Sequence, residues 1–307
     1  MSCAAGWLCH IPLNPAGKTA RSTERASAVP ALLVILCPIL NISCRRSTYT
    51  TSFGLPTRAH QVELQMSLKM IQRQEPEERP RPHTEYRKEF LSRVLSFEPS
   101  SVLDVGCGNG ASMQALREAH VAHCVGIDPE EEAVAEARAI GLDVRHARAE
   151  ALPFADQSFD VVTLEYAAHH LETLHRGLQE AIRVARLGVV VLDCWYDVSI
   201  PSQLAAQRYD EWLKLIDRRV GLVHNSCPQP AELAAPFLTA GFKLDYSCRL
   251  LLVPLSVPQM EISAKQRLHS IPEACGLRDD LERLLDVARL NGLSDDGAII
   301  FSATRGD

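Results

Sequence analysis

Val102-Leu-Asp-Val-Gly-Cys-Gly-Asn-Gly110 is the stretch whose reading decides the fold. A short apolar run carrying one acid passes into three glycines at alternate positions. The run over residues 101–106 reads as a buried strand. The glycines let the backbone turn sharply and approach a ligand closely. A helix predicted over residues 111–120 opens beside them, with its first N–H groups free to face that ligand. Alone this pattern is shared by many nucleotide sites. Gly106, Gly108 and Ala111 even meet the looser dinucleotide spacing.

Outward from the loop, strands and helices alternate. A helical period over residues 85–96 places Tyr86, Phe90, Leu91, Val94 and Leu95 together. Strands are predicted over 122–128, 142–147, 159–165 and 188–194, with helices over 130–140 and 171–186 between them. Near-continuous apolar strands alternating with helices imply a parallel sheet covered on both faces. Helices follow over 202–219 and 230–240, then a strand-like stretch over 242–255. Residues 258–293 read as a helical insertion, and 298–304 as a last strand. That order fits a parallel sheet finished by an antiparallel pair. Trp212, Leu215 and Ile216 form one stripe of the 202–219 helix, expected to pack in the core or as a pocket lid.

Two acids narrow the ligand. Asp104 lies inside the first strand, two residues before the first glycine, where a carboxylate suits a cationic amino group better than a pyrophosphate. Asp128 ends the second strand, where a carboxylate accepts hydrogen bonds from ribose hydroxyls. The pair points to a nucleoside carrying an ammonium group and little phosphate.

The 307 residues are 46% hydrophobic and 23% charged, with a net charge of −6. That composition is ample for a core. It argues against a chain held mainly by nucleic-acid phosphates, which need clustered positive charge. The total hides a split. Residues 1–65 hold six basic and two acidic side chains, +4, so the remainder carries −10. An apolar run over residues 28–40 is too short to span a bilayer. The segment reads as a disordered or non-native extension over 1–75, a targeting peptide, or a membrane-contacting segment, ahead of one domain over 80–307. Six of the ten cysteines fall in that domain and fit free thiols in a reducing cytoplasm. Cytoplasmic location is the expectation, with organelle targeting or export the alternative if the extension is a genuine address.

A resemblance now stands out. VLDVGCGNG, then VGIDPE over 125–130, then AEALPFADQSFDVVTLEYAAHHL over 149–171 resemble, in order and spacing, the class I S-adenosylmethionine-dependent methyltransferases. The chain is most similar to their ubiquinone/menaquinone-type small-molecule branch, type 11. The resemblance implies an α/β Rossmann-like three-layer sandwich, with a mostly parallel seven-stranded sheet and an antiparallel last strand. It implies S-adenosyl-L-methionine as cofactor. Gly106, Gly108 and Gly110, with Cys107 among them, would line the methionine part. Asp104 would contact the amino group, and Asp128, with Pro129 beside it, the ribose. Ala149 and Glu150 would reach the adenine. Arg148 stands where the family usually has an aspartate that contacts the adenine amine, and a guanidinium accepts no hydrogen bond.

Methyl transfer from a sulfonium is an in-line displacement, so orientation and water exclusion carry it, worth about 7–11 kcal/mol. A general base is needed only for an acceptor that arrives protonated with a high pKa. After strand four, Glu165 and His169 are the candidate catalytic residues, Glu165 also as a cofactor contact. Tyr166 stands between them, His170 reads as a packed helix-start residue, and Trp195 and Tyr196 as a wall. No metal-ligand spacing is visible. Cys194, Cys227 and Cys248 could gather a thiophilic substrate, but packing is the preferred reading. The expected acceptor is a small molecule, a quinol, phenol or other apolar metabolite, with no nucleic acid, no stable membrane insertion and no stated oligomeric state. RNA or protein methylation, a nicotinamide oxidoreductase and a cofactor-binding subunit without catalysis remain the alternatives.

Overall fold

A computed structural model describes residues 81–269, 271 and 276–306. The extension expected over residues 1–75 lies outside the described residues. Helix α1, Arg81–Leu95, buries Tyr86, Phe90 and Val94, one turn apart along its inner face. Strand β1, Ser101–Val105, then leads through the glycine loop into α2, Ala111–Glu118. β2, His123–Asp128, α3, Glu131–Ala139, and β3, Asp143–His146, complete the first half. β4, Phe159–Glu165, α4, Leu174–Val184, and β5, Ala185–Trp195, begin the second. α5, Pro201–Arg219, α6, Pro230–Thr239, and β6, Lys243–Arg249, follow. α7, Val257–His269, and α8, Leu277–Asn291, precede β7, Gly297–Thr304.

The seven strands lie in the order β3-β2-β1-β4-β5-β7-β6. β1 to β5 pair in parallel, and β7 runs antiparallel to both β5 and β6. This is the sheet that the resemblance implied. Its two faces can be read from the alternation along β5. Val189 and Val191 join one core with Leu178, Phe237 and Phe301, whereas Val190 and Leu192 join another with Phe90, Val94 and Leu116. Strands apolar at every position are thus strands covered twice.

A third core lies away from the sheet. Trp212 and Ile216 of α5 pack with Leu277, Leu281 and Leu285 of α8 and Met260 of α7. The indole Nε1–H of Trp212 donates to the Leu277 carbonyl at 3.2 Å. The stripe expected on the 202–219 helix therefore seals α5 against the insertion.

The structure departs from the expected elements in three places. The helix expected to reach residue 186 stops at Val184, and β5 begins at once. Arg186 is drawn to Asp160, and a Cβ at Gly188 would sit 2.6 Å from the Ala303 carbonyl oxygen, so this short join must run extended against β7. The strand expected over 242–255 ends at Arg249, opposite the start of its partner β7, and Leu252 beyond it takes a positive φ of 48° that rules out a continued pleat. The helical stretch over 258–293 is two helices, the second opening after Gly276 at φ 83°. Among the described residues no helix is long and apolar enough to cross a membrane.

Leu281 is almost fully buried in the third core. Leu281→Ala should cost about 2–5 kcal/mol by chemical denaturation, and a cost near zero would show that α8 does not close this core.

Candidate functional site

β1 has β2 on one side and β4 on the other, so the sheet order reverses at β1. In open α/β sheets ligands bind outside the strand carboxyl ends at such a point. A cavity of about 480 Å³ opens there. That volume lies in the usual range for small-molecule sites, about 300–1,000 Å³.

The glycine loop forms its floor. The N–H groups of Gly106 and Cys107 both donate to the Ile127 carbonyl, at 2.8 and 3.0 Å, which binds the end of β1 to the end of β2. Gly106 has φ 73°, and a Cβ there would stand 2.7 Å from the Ala167 Cβ. No side chain fits, so the backbone itself faces the cavity. The Asp128 carboxylate accepts from Gly108 N–H at 2.8 Å and Glu130 N–H at 2.9 Å. The acid after β2 thus braces the loop after β1.

Gly106, Asp128, Pro129, Ala149 and Glu150 line the cavity, all expected cofactor contacts. Asp104 lies below them, fully buried, and its carboxylate accepts from the Thr163 hydroxyl at 2.9 Å. Burial, with Glu165 and Asp128 nearby, pushes its pKa up to about 7. Cys107 turns its thiol inward toward Gly126 and Met113, so only its backbone belongs to the loop's outer face. Gly108 and Gly110 hold the turn with φ of 52° and 85°.

Glu165 is not among the cavity-lining residues. It pairs with Arg87 of α1 at 3.1 Å and accepts from the Ser112 hydroxyl at the start of α2. Arg148 does line the cavity, paired with Glu172 at 2.7 Å, and the Glu150 carboxylate accepts from Thr173 N–H at 3.2 Å.

The two adjacent histidines exchange the places expected of them. His169 is packed inward, its Nδ1 2.5 Å from Asp193, outside the main cavity. His170 faces the cavity, with Nδ1 3.0 Å from the Val223 carbonyl. Loss of hydration in the cavity wall, with His169 and His224 beside it, lowers its pKa to about 4. His224, from the loop after α5, also lines the cavity and rests its Nδ1 2.6 Å from Asp217.

Tyr166 lines the cavity as well, at a positive φ of 51°. Its hydroxyl lies 3.0 Å from His83 Nδ1, and His83 Nε2 lies 3.1 Å from Asp296. Burial works against the charged imidazole, but Asp295 and Asp296 outweigh it and hold His83 at about 9. Burial and the surrounding carboxylates keep the Tyr166 hydroxyl protonated.

Cys194 and Cys227 form a disulfide, with Cα atoms 5.9 Å apart. This corrects the expectation of six free thiols. β5 and the loop after α5 bring together two residues 33 positions apart. Cys248 is separate and exposed on β6, so the three do not gather as one site.

Residues 103–192 match the family model described as a methyltransferase domain. The "Uncharacterized methyltransferase YcgJ" of Bacillus subtilis is 37% identical over 92 residues, 28% of this chain and 36% of that protein. The demethylmenaquinone methyltransferase of Shouchella clausii is 33% identical over 115 residues, 34% of this chain and 49% of that protein. Residues 103–192 thus carry a methyltransferase domain of the class I, S-adenosylmethionine-dependent kind, similar to type 11. The two curated relatives are matched over about a third to a half of their length. The solved structure of a putative methyltransferase from Bacillus halodurans shares the fold, with a TM-score of 0.51 at 17% identity, covering 72% of this chain and all of that one.

S-adenosylmethionine is the cofactor of this methyltransferase family, and the cavity fits it. Burial above all, with Glu165 and Asp128 in its field against Arg87, raises the Asp104 carboxyl to about 7, and a cation bound beside it would offset that. An ammonium group supplies that cation. Sequence reasoning missed His83, Asp295 and Asp296, which come from opposite ends of the domain. No local motif marks them, and only the Asp-Asp pair before the last strand was there to be noticed.

His83 gives a pH test. The folded group holds its proton up to about 9, against 6.5 ordinarily. Its stabilising contribution is complete below 6.5 and is lost as the pH rises through about 9. Denaturation from pH 6 to 10 should show wild type losing stability in that window and His83→Gln losing less. Parallel curves would contradict the His83–Asp296 pairing.

Proposed function

We propose that this methyltransferase moves the methyl group of S-adenosylmethionine to a small apolar or aromatic acceptor, a quinol or phenol being the favoured class. The observation that carries the reading is one cavity lined both by Gly106, Asp128 and Ala149 and by Tyr166, His170 and Leu222. The first group suits a nucleoside and the second an acceptor. The name of the Shouchella clausii relative, a demethylmenaquinone methyltransferase, supports the quinol class.

The cofactor supplies an electrophilic methyl group, and the chain's residues bind, orient and exclude water. Asp128 holds the ribose hydroxyls while bracing the loop that faces the methionine part. Asp104 meets the amino group, and its proton leaves as that cation arrives. Ala149 and Glu150 frame the adenine, with Arg148 held aside by Glu172. Tyr166 is a donor, not a base. Protonated His83 donates to its oxygen and to Asp296, so the phenolic hydrogen is directed elsewhere and can fix an oxygen of the acceptor. Fixing that oxygen would line the acceptor up with the methyl group, the sulfur leaving as a neutral thioether and the acceptor's proton passing to water at the cavity mouth.

Calorimetry with S-adenosylhomocysteine should show binding that weakens strongly in Asp128→Ala. At pH 7 it should release a fraction of a proton, and Asp104→Asn should abolish that release. No binding to the intact protein would defeat the reading. Tyr166→Phe should lower kcat/KM about five- to tenfold on a phenol or quinol that the wild type methylates, with unchanged S-adenosylhomocysteine affinity. Unchanged kcat/KM would remove Tyr166 from acceptor binding, and binding without turnover across phenols, quinols and amines would favour a non-catalytic subunit.

A further inference from the structure

His169, His170 and His224 present three imidazoles to one another where the turn after β4 meets the loop after α5. Their ring centroids are 4.2, 4.4 and 5.3 Å apart. One ring nitrogen from each lies within 4.8 Å of the others. Neutral imidazoles can stack, but stacking does not require each ring to be turned by an acceptor on one nitrogen. Here every ring is turned so. His169 Nδ1 meets the Asp193 carboxylate at 2.5 Å, His224 Nδ1 meets Asp217 at 2.6 Å, and His170 Nδ1 meets the Val223 carbonyl at 3.0 Å. An acceptor on Nδ1 places the ring proton there and leaves Nε2 as a lone-pair donor. Histidines that ligate metals are oriented in this way, by a carboxylate or a carbonyl on the second nitrogen.

The surroundings hold the loop in place. Asn225 N–H donates to the His169 carbonyl at 2.7 Å, and its side-chain amide donates to the Leu171 carbonyl at 2.7 Å. Arg218 donates to the His224 carbonyl at 2.5 Å, and the Cys194–Cys227 disulfide ties the loop to β5. Asp193 and Asp217 are both buried, so the carboxylates behind two of the rings do not swing into water.

We infer that His169, His170 and His224 form a binding site for one divalent transition-metal ion, of the zinc class, at the edge of the cofactor cavity. Three imidazoles suit zinc and its neighbours in the first transition row. With bonds of about 2.0–2.1 Å, tetrahedral ligand nitrogens stand about 3.4 Å apart, a span of the same order as the 4.8 Å within which one nitrogen of each ring lies. Three protein ligands leave a fourth position open, the arrangement of catalytic rather than structural zinc. His170 and His224 line the main cavity, so that position lies on the acceptor's side. An oxygen of the acceptor can occupy it and lose its proton more readily there. That last assignment rests on the methyl-transfer reading, whereas metal binding by the three histidines does not.

The full chain, stripped with chelator, should be titrated with Zn²⁺ against a chromophoric chelator. The wild type should bind one ion that His170→Ala and His224→Ala each lose. Asp217→Asn should weaken that ion about 10–100-fold. Co²⁺ in the same site should give visible ligand-field bands without a thiolate charge-transfer band. Calorimetry with S-adenosylhomocysteine on the stripped variants reports whether each still folds. An equal number of ions bound by wild type and by both histidine variants, or a thiolate band, overturns the site. Loss of S-adenosylhomocysteine binding from wild type with the metal site intact would instead overturn the methyl-transfer reading.

Discussion

The hydrogen bonds that the Asp128 carboxylate accepts from Gly108 and Glu130 are the constraint on which the site depends. They make one object of two separate turns. A glycine loop alone is mobile in the conformations it can reach, because glycine carries no steric bias. Here Gly106 and Cys107 are bonded to Ile127, Gly108 is bonded to Asp128, and Ala167 leaves no room for a side chain at Gly106. The parallel pairing of β1 and β2 brings both turns to the same edge of the sheet. A ligand meeting this edge finds backbone and carboxylate already placed, and loses little ordering them.

Electrostatics divide the cavity's neighbourhood. Asp104, Asp128 and Glu165 gather negative charge under the loop, countered by Arg87 from α1. The cavity is also lined by His170, His224 and Tyr166, groups that are neutral near pH 7 by the direction of their shifts. A cationic cofactor and an uncharged acceptor match this division. The −10 balance of residues 66–307 agrees with a cationic cofactor.

The sheet was largely legible in the sequence, since buried parallel strands are apolar without interruption and glycine marks the turn that follows the first. Asp104, Asp128 and the loop glycines could be read because each lies within a contiguous motif. The acceptor side could not. His169 and His170 are adjacent, and only packing decides which one turns inward: Asp193 on β5 claims the first, and the second is left to the cavity. Glu165 looked available from its place at the end of β4, yet Arg87, 78 positions earlier in the chain, occupies it. Cys194 with Cys227, and His83 with Asp295 and Asp296, are likewise pairings across the fold with no period or spacing to announce them. The strand expected past Arg249 has no partner there, since β7 begins opposite it, and the left-handed backbone at Leu252 turns the chain away from the pleat.

The most direct measurement is a crystal structure of the full chain with S-adenosylhomocysteine. The ribose hydroxyls should lie on the Asp128 carboxylate, the amino group toward Asp104, and the sulfur should face the space between Tyr166 and His170. Product bound away from the loop after β1, or turned so that its sulfur faces away from Tyr166, would contradict this placement.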